Sequence, residues 1–265
     1  MELLKNKTAL VTGGATGIGK AIALQLAEEG ADVALNFLNQ EEKAAEVTRQ
    51  ITSKGVRSGQ YRADISREEE VVSMFEWVTS RFGRLDILVN NAGRQKDSEF
   101  QDMTLEDWNA VVNVDLTGHF LCAREAVKLF LKQGNNNRDG FHPSIVFITS
   151  VHQSIPWAKR ANYNAAKAGA AMLMKTIAQE MAPHGIRANA IAPGAVKTAI
   201  NIENFKDPGE KEKILRKIPY GRPGKVSDIA RAAVWLASEE ADYITGETIY
   251  VDGGMELYAD FAHGG

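Results

Sequence analysis

Short apolar runs alternate along the chain with longer segments in which apolar and polar residues recur at helical spacing. The apolar runs are rich in β-branched residues and end at turns, which is typical of strands buried on both faces of a parallel sheet. Seven strands are predicted: Thr8–Thr12, Asp32–Asn36, Val56–Arg62, Leu85–Asn90, Ser144–Thr149, Ile186–Ile191 and Glu247–Val251. With helices between them, these strands indicate an α/β fold built on a doubly wound parallel sheet with helices on both faces.

Length, charge and cysteine content narrow the class of protein. Its 265 residues are predicted to form one domain, 1–265, with no linker or repeat. The net charge of −3 and the lack of a basic stripe argue against a nucleic-acid partner. Cys122 is the single cysteine and the five His have no ligand spacing, so no metal site is expected. Without a secretory segment or a membrane-spanning apolar run, the chain is expected to be cytoplasmic.

A glycine-rich turn follows the first predicted strand. It reads Gly13-Gly14-Ala15-Thr16-Gly17-Ile18-Gly19, and a helix rich in Ala, Leu and Glu continues to about Glu29. Strand, turn and helix together place free backbone N–H groups at a helix N-terminus, where a pyrophosphate is favoured. The spacing G-x-x-x-G-x-G differs from the common dinucleotide fingerprint G-x-G-x-x-G, and a merely structural turn is the alternative.

Tyr163 and Lys167 stand at i and i+4, so in a helix they lie on one face, one turn apart. An ordinary tyrosine, with a pKa of about 10, is a poor base at neutral pH, but a desolvated ammonium beside it favours the phenolate. The pair indicates a general acid/base suited to an alcohol or a carbonyl. An Ala-rich buried helix with one Tyr and one solvated Lys is the alternative. Ser150, Asn90 and Pro193-Gly194 also fall at the carboxyl ends of predicted strands, where ligands bind in such sheets.

The order of these motifs resembles the short-chain dehydrogenase/reductase family from about Lys5 to Gly254. The motifs are the glycine turn, Asn90-Asn91-Ala92-Gly93, Ser150, Tyr163-x-x-x-Lys167 and Pro193-Gly194. Within the family, residues 150–157, Ala199-Ile200-Asn201, residues 205–208 and residues 252–258 resemble the glucose 1-dehydrogenases. The resemblance implies a Rossmann fold and an NAD- or NADP-dependent oxidoreductase.

The resemblance also implies roles for individual residues. Tyr163 is the expected acid/base, Lys167 lowers its pKa and holds the nicotinamide ribose, Ser150 orients the reacting oxygen, and Asn113 positions a water that relays protons. The expected cofactor contacts are Gly13, Thr16, Gly17, Ile18, Gly19, Asn36, Phe37, Asp64, Ile65, Asn91, Ala92, Gly93, Tyr163, Lys167, Pro193, Gly194 and Thr198. The expected substrate contacts are Gln95, Ser150, His152, Tyr163, Asn201 and Asp207. Structural alternatives stay open: a kink-stabilising amide for Asn113, a turn acceptor for Asp64, and solvated side chains for His152, Asn201 and Asp207.

Two positions after the second strand bear on the choice of dinucleotide. By resemblance, Phe37 stands where NAD-preferring members carry Asp, and Leu38 where many NADP-using members carry Arg. Thr16 stands where NADP-using relatives often place a basic residue. With neither selector present, use of both dinucleotides is expected.

Three functions are compatible with these residues. The leading one is oxidation of the anomeric hydroxyl of an aldose to a lactone, and Gln95, where the glucose enzymes carry glutamate, leaves the sugar open. The alternatives are a reductase of 3-oxoacyl thioesters or other ketones, and a dinucleotide-sensing binding protein.

A substrate lid is expected over about 195–225. The apolar C-terminal tail, 252–265, and the Ala-rich faces near Lys167 and at Ala230–Ala237 are expected to meet other subunits of a homotetramer.

Overall fold

The computed structural model describes residues 2–134, 142–198 and 207–257. Their strands are β1 (Thr8–Val11), β2 (Asp32–Phe37), β3 (Ser58–Arg62), β4 (Ile87–Asn90), β5 (Ser144–Ile148), β6 (Arg187–Pro193), β7 (Val196–Lys197), β8 (Gly224–Lys225) and β9 (Thr248–Val251). Seven of them form one parallel sheet in the order β3-β2-β1-β4-β5-β6-β9. The seven predicted strands are confirmed, with small differences at their ends.

Helices cover both faces of this sheet. They are α1 (Gly17–Glu28), α2 (Glu41–Thr52), α3 (Glu68–Phe82), α4 (Leu105–Val112), α5 (His119–Gln133), α6 (Ala161–Met181), α7 (Pro208–Leu215) and α8 (Val226–Ala237). Because side chains alternate along a strand, Ala9 and Val11 of β1 pack under α1, α2 and α8, while Leu10 packs under α3, α5 and α6. The fold is therefore the predicted doubly wound α/β fold.

The alanines of α8 pack within their own subunit. Ala230, Ala233 and Ala237 are buried in the core, and the helix lies against α1. Small side chains let the two helices approach closely, and this packing uses the apolar face of α8. The expectation that α8 meets a copy of itself stays a prediction, and Ala230, Ala233 and Ala237 are not available for such a contact because they face the core.

The strand order reverses between β1 and β4, which opens a crevice at the carboxyl edge of the sheet. The two ends of the segment predicted as a lid pair with each other, Val196 with Gly224 and Lys197 with Lys225. Asn201 and the rest of 199–206 lie outside the described residues, as does the tail from residue 258 onward.

No helix in the described ranges has the length and apolar character that a membrane span requires. Within the same ranges, no grouping of three or more His, Cys, Asp or Glu side chains is arranged to hold a metal ion.

Candidate active site

The glycine turn between β1 and α1 is shaped by close backbone contacts. Gly13 has a φ of 64°, and a Cβ there would lie 2.9 Å from the Cα of Ala92. A Cβ on Gly19 would lie 2.4 Å from the Gly13 carbonyl oxygen. Thr16 is extended and α1 begins at Gly17, so the first N–H groups of the helix, including that of Ile18, point out of the turn. Such an N-terminus fits a pyrophosphate.

The segment after β4 braces this turn. The Thr12 hydroxyl oxygen accepts hydrogen bonds from the N–H groups of Asn91 and Ala92 at 2.9 and 3.0 Å. The Asn91 side-chain amide donates to the Thr12 carbonyl at 2.9 Å. The Asn91 amide thus fixes the turn, and Gly93 follows it at the exposed edge of the crevice.

The end of β2 lies against the glycine turn. Asn36 is buried, accepts from the Gly13 N–H at 3.3 Å and donates to the Ala63 carbonyl at 2.9 Å. Phe37 is also buried and packs with Ala15 and Ala44. The side chains of Asn36 and Phe37 therefore support the turn from beneath, and their contact with a cofactor stays a prediction.

Several other predicted cofactor residues line the same edge. Asp64 Oδ1 accepts from the N–H and hydroxyl of Ser66 at 2.9 and 2.7 Å, which is the turn role left open by the sequence. Ile65 is buried, and Gly118 lies against it. Contact of Asp64 with an adenine stays a prediction.

The residues after β6 close the other side of the crevice. Pro193 is the last residue of β6 rather than the first after it. Gly194 runs so close to Asp252 that a Cβ would lie 2.8 Å from the Asp252 Cα. The Thr198 methyl group faces Gly17 at 3.9 Å from the position a Cβ would take there. The segment from Pro193 to Thr198 therefore reaches the N-terminus of α1.

Tyr163 and Lys167 lie on one face of α6, as their spacing predicts. The Lys167 ammonium is buried, donates to the Ile148 carbonyl at 3.1 Å and lies 5.6 Å from the centre of the Tyr163 ring. Ser150, two residues beyond Ile148, begins a short 3₁₀ turn that packs against α6, and its hydroxyl accepts from the His152 N–H at 3.1 Å. The three predicted catalytic side chains therefore converge where β5 ends.

A fourth side chain at this point is Asp115 rather than Asn113. A π-helical turn, Asn113–Gly118, joins α4 to α5. Asp115 is fully buried in it and places Oδ2 3.1 Å from the Lys167 ammonium, whereas Asn113 is exposed. The assignment of Asn113 as the residue that serves the lysine is therefore wrong. An acidic residue between the apolar Val114 and Leu116 was the signal that identifies Asp115.

Electrostatics keep the lysine charged. Burial opposes the charge of Lys167, but attraction to Asp115 and then to Tyr163 outweighs it and raises the pKa of Lys167 above its ordinary value. Burial also raises the pKa of Asp115, against the pull of Lys167. Burial, together with repulsion from Lys167, lowers the pKa of His119 to about 3. His119 is therefore neutral, and its Nε2–H donates to the Ala92 carbonyl at 2.8 Å.

Polar and aromatic side chains form the rim of the site. Arg160 lies over the Trp157 ring at 3.4 Å and donates to Gln95 at 3.0 Å and to Asp97 at 2.7 Å. The His152 ring packs against the same indole with a tilt of 35°, its centre 4.5 Å from the centre of the Trp157 ring. Sequence reasoning missed Trp157 and Arg160 as members of this rim, because their roles depend on contacts with separate loops.

His152 and Asp207 have different local environments. His152 Nδ1 lies 3.0 Å from the Ile155 carbonyl, so Nδ1 carries the proton and Nε2 is left as an acceptor. Burial lowers the pKa of His152, which favours this neutral form. Asp207 is exposed and caps α7 by accepting from the Glu210 N–H at 2.8 Å. The capping contact is a structural role for Asp207.

Comparison with known proteins agrees with this arrangement. A family model described as enoyl-(acyl carrier protein) reductase matches residues 13–256. The chain is 44% identical to 3beta-hydroxysteroid dehydrogenase 1 of Eggerthella lenta, over 98% of each chain. The chain belongs to the short-chain dehydrogenase/reductase family. As a member, it is an oxidoreductase that uses NAD or NADP.

Other relatives within the short-chain dehydrogenase/reductase family carry different substrate names. The chain is 41% identical to glucose 1-dehydrogenase 2 of Bacillus subtilis, over 96% of each chain. It is 42% identical to the 3-oxoacyl-[acyl-carrier-protein] reductase FabG of Staphylococcus epidermidis, over 95% of this chain and 100% of that one. A crystal structure of a gluconate 5-dehydrogenase from Burkholderia cenocepacia J2315, in complex with NADP and tartrate, superposes with a TM-score of 0.88 at 33% identity and covers 96% of each chain.

Proposed function

We propose that this short-chain dehydrogenase/reductase oxidises the anomeric hydroxyl of a glucose-like aldose to the lactone. The observation that carries the reaction type is the convergence of Ser150, Tyr163 and the buried Lys167 at the carboxyl end of β5. The Bacillus subtilis relative supports the sugar. The hydrogen-bonding rim supplied by His152 and Gln95 suits the hydroxyl groups of a sugar.

The chain's own groups have distinct tasks in this reaction. The Tyr163 phenolate takes the proton of the substrate hydroxyl, and the Ser150 hydroxyl holds the substrate oxygen beside it. The Lys167 ammonium favours the phenolate. A nicotinamide dinucleotide would supply the hydride acceptor for the same carbon, and Gly13, Gly17 and the α1 N-terminus would hold its pyrophosphate.

The structure supplies a cation near the dinucleotide site that sequence reasoning missed. Arg62 ends β3, and its Nε donates to the Leu38 carbonyl at 3.0 Å. The guanidinium therefore lies beside the loop after β2, and we assign it the reception of a ribose 2′-phosphate. With no acidic side chain at Phe37 or Leu38 to exclude the phosphate, the chain uses both NAD and NADP.

A second candidate function is reduction of a ketone, because the same acid/base serves both directions. The Staphylococcus epidermidis relative favours a 3-oxoacyl thioester, and the Eggerthella lenta relative favours a steroid alcohol or ketone.

Assembly as a cytoplasmic homotetramer is also proposed. Its support in the described residues is the exposed Met172 on α6, which a contact between subunits would cover.

The test is a spectrophotometric panel on the purified protein. Aldoses, a 3-oxoacyl thioester and a 3β-hydroxysteroid are each offered with NAD(H) and NADP(H), and kcat/KM is measured. The proposal expects the largest value for an aldose, abolished in Tyr163→Phe. A thioester or steroid that exceeds every aldose by tenfold or more would replace the sugar assignment, and activity that survives in the variant would overturn the mechanism.

A further inference from the structure

The carboxylate of Asp115 is placed against the lysine that serves the acid/base. Oδ1 accepts the Arg94 N–H at 2.7 Å, and Oδ2 lies 3.1 Å from the Lys167 ammonium. Both side chains are almost completely buried. Oδ2 makes no well-aligned hydrogen bond within the described residues, so its contact with Lys167 is mainly an attraction between charges.

This carboxylate changes what Tyr163 experiences. An unopposed buried ammonium stabilises a neighbouring phenolate strongly, but an ammonium with a carboxylate at 3.1 Å presents a smaller net charge. The same carboxylate, together with the Ile148 carbonyl, holds the ammonium in one place. Backbone geometry supports the arrangement, since a Cβ on Gly93 would lie 3.0 Å from Asp115 Oδ2 and 3.5 Å from the Lys167 ammonium.

We infer that Asp115 is a positioning residue that sets the pH at which Tyr163 becomes a phenolate. It anchors the Lys167 ammonium and offsets part of its charge, so that the tyrosine ionises at a higher pH than beside an unopposed lysine. The inference rests on the proposed acid/base role of Tyr163. It adds that a third residue, besides Tyr163 and Lys167, sets the pH at which the tyrosine ionises.

Other charged and titratable groups lie around this end of α6. His119 is buried and neutral, and burial favours the neutral form of His152. The described charge pairs at this end of α6 include Arg160–Asp97 at 2.7 Å, Lys159–Glu99 at 2.6 Å and Lys96–Asp107 at 3.5 Å. Lys217 acts on His152 from the segment after α7. None of these groups makes an ion pair with Lys167 within the described residues, so the offset is assigned to Asp115.

The direct test is a titration of Tyr163 without substrate. Tyrosinate absorbance is followed against pH in the wild type and in Asp115→Asn, and the same titration of Tyr163→Phe in each background is subtracted so that the other tyrosines cancel. Asn keeps an acceptor for the Arg94 N–H and removes the charge, with an NH2 group in place of Oδ2. The midpoint for Tyr163 should fall by roughly one pH unit in Asp115→Asn.

A matched variant separates this effect from loss of a buried acid in general. Asp86 is also buried and ion-paired, with Arg84 at 2.6 Å, but it lies just before β4 at the opposite edge of the sheet. Asp86→Asn should leave the Tyr163 midpoint unchanged. If Asp115→Asn does not fold, Asp115→Ala provides the same loss of charge, and dinucleotide-dependent thermal stabilisation verifies its fold.

An unchanged or higher midpoint in Asp115→Asn, or an equal fall in Asp86→Asn, would overturn the inference. A higher midpoint would mean that Asp115 keeps the lysine protonated rather than offsetting it. Because the titration uses no substrate, absence of aldose turnover leaves this result intact, whereas the aldose assignment fails or stands on the substrate panel alone.

Discussion

Arg62 donates a hydrogen bond from Nε to the carbonyl oxygen of Leu38 at 3.0 Å. In the sheet register, Arg62 stands opposite Phe37, so a guanidinium from β3 lies beside the loop after β2. Dinucleotide enzymes of this fold distinguish their cofactors at that loop. Two predictions follow from the geometry there.

Replacement of Arg62 by Gln should reduce kcat/KM for NADP about tenfold relative to NAD, because the 2′-phosphate loses a charge-assisted hydrogen bond. Steady-state kinetics with each dinucleotide give the ratio of kcat/KM with NADP to kcat/KM with NAD. Arg57→Gln is the matched control, since Arg57 joins the same two strands at their other end, where it pairs with Asp32 at 2.8 Å. An unchanged ratio in Arg62→Gln would place the selection elsewhere.

Positions 37 and 38 should respond differently to charge. Leu38 is 40% exposed, so Leu38→Arg should raise the preference for NADP by adding a partner for the phosphate. Phe37 is 5% exposed, so Phe37→Asp, which sequence alone favours as a route to NAD preference, should instead destabilise the fold by about 3 kcal/mol or more. Cofactor kinetics and urea unfolding test the two results. A stable, NAD-selective Phe37→Asp protein would contradict this account.

Tyr163→Phe should abolish turnover and preserve dinucleotide affinity, because only the hydroxyl is removed. The loss in kcat should exceed the roughly 10²–10⁴ of acid/base catalysis alone, since the hydroxyl also orients the substrate. Steady-state assays give kcat, and titration of the dinucleotide followed by fluorescence gives its affinity. Tyr243→Phe, at a fully exposed tyrosine, should behave as wild type. Retention of a tenth of the wild-type rate in Tyr163→Phe would show that the assigned chemistry is wrong.

His152→Phe should raise the KM of the hydroxylated substrate about tenfold, because the ring stacking on Trp157 is kept while the Nε2 acceptor is lost. Burial lowers the pKa of His152, so in the wild type this KM should stay constant through neutral pH. It should rise only below the ordinary His pKa of about 6.5, as the ring gains a proton. His184→Phe, at an exposed ring beyond α6, is the control. Equal effects on the dinucleotide KM would contradict a substrate role.

His119 should make the fold sensitive to acid. The unfolded chain binds a proton at His119 below about pH 6.5, whereas the folded protein does so only near its pKa of about 3. The contribution of His119 to the free energy of unfolding should therefore be constant above pH 6.5. It should fall by on the order of 4 kcal/mol as the pH drops from 6.5 toward 3. Urea unfolding across this range measures the slope. In His119→Gln the slope of the unfolding free energy against pH should correspond to about one proton fewer taken up on unfolding. A slope identical to that of the wild type would exclude His119 as the source.

Much of the fold and part of the site were predictable from sequence. The β-branched runs and the helical segments between them specify the parallel sheet, because each strand is buried on both faces and its pattern is local. The glycine turn and the Tyr163–Lys167 pair are also local, since a strand–turn–helix unit and an i, i+4 spacing fix their geometry within a few residues.

Contacts between separate elements were decided only by the tertiary structure. The π-helical turn rotates Asp115 rather than Asn113 toward Lys167, and no periodicity in the sequence reports such a turn. Phe37 is buried because α2 covers it, and Arg62 reaches Leu38 because β3 pairs with β2. Sequence spacing therefore determined which groups lie near the carboxyl edge of the sheet. Packing across that edge determined which of their atoms meet, because those distances depend on several elements at once.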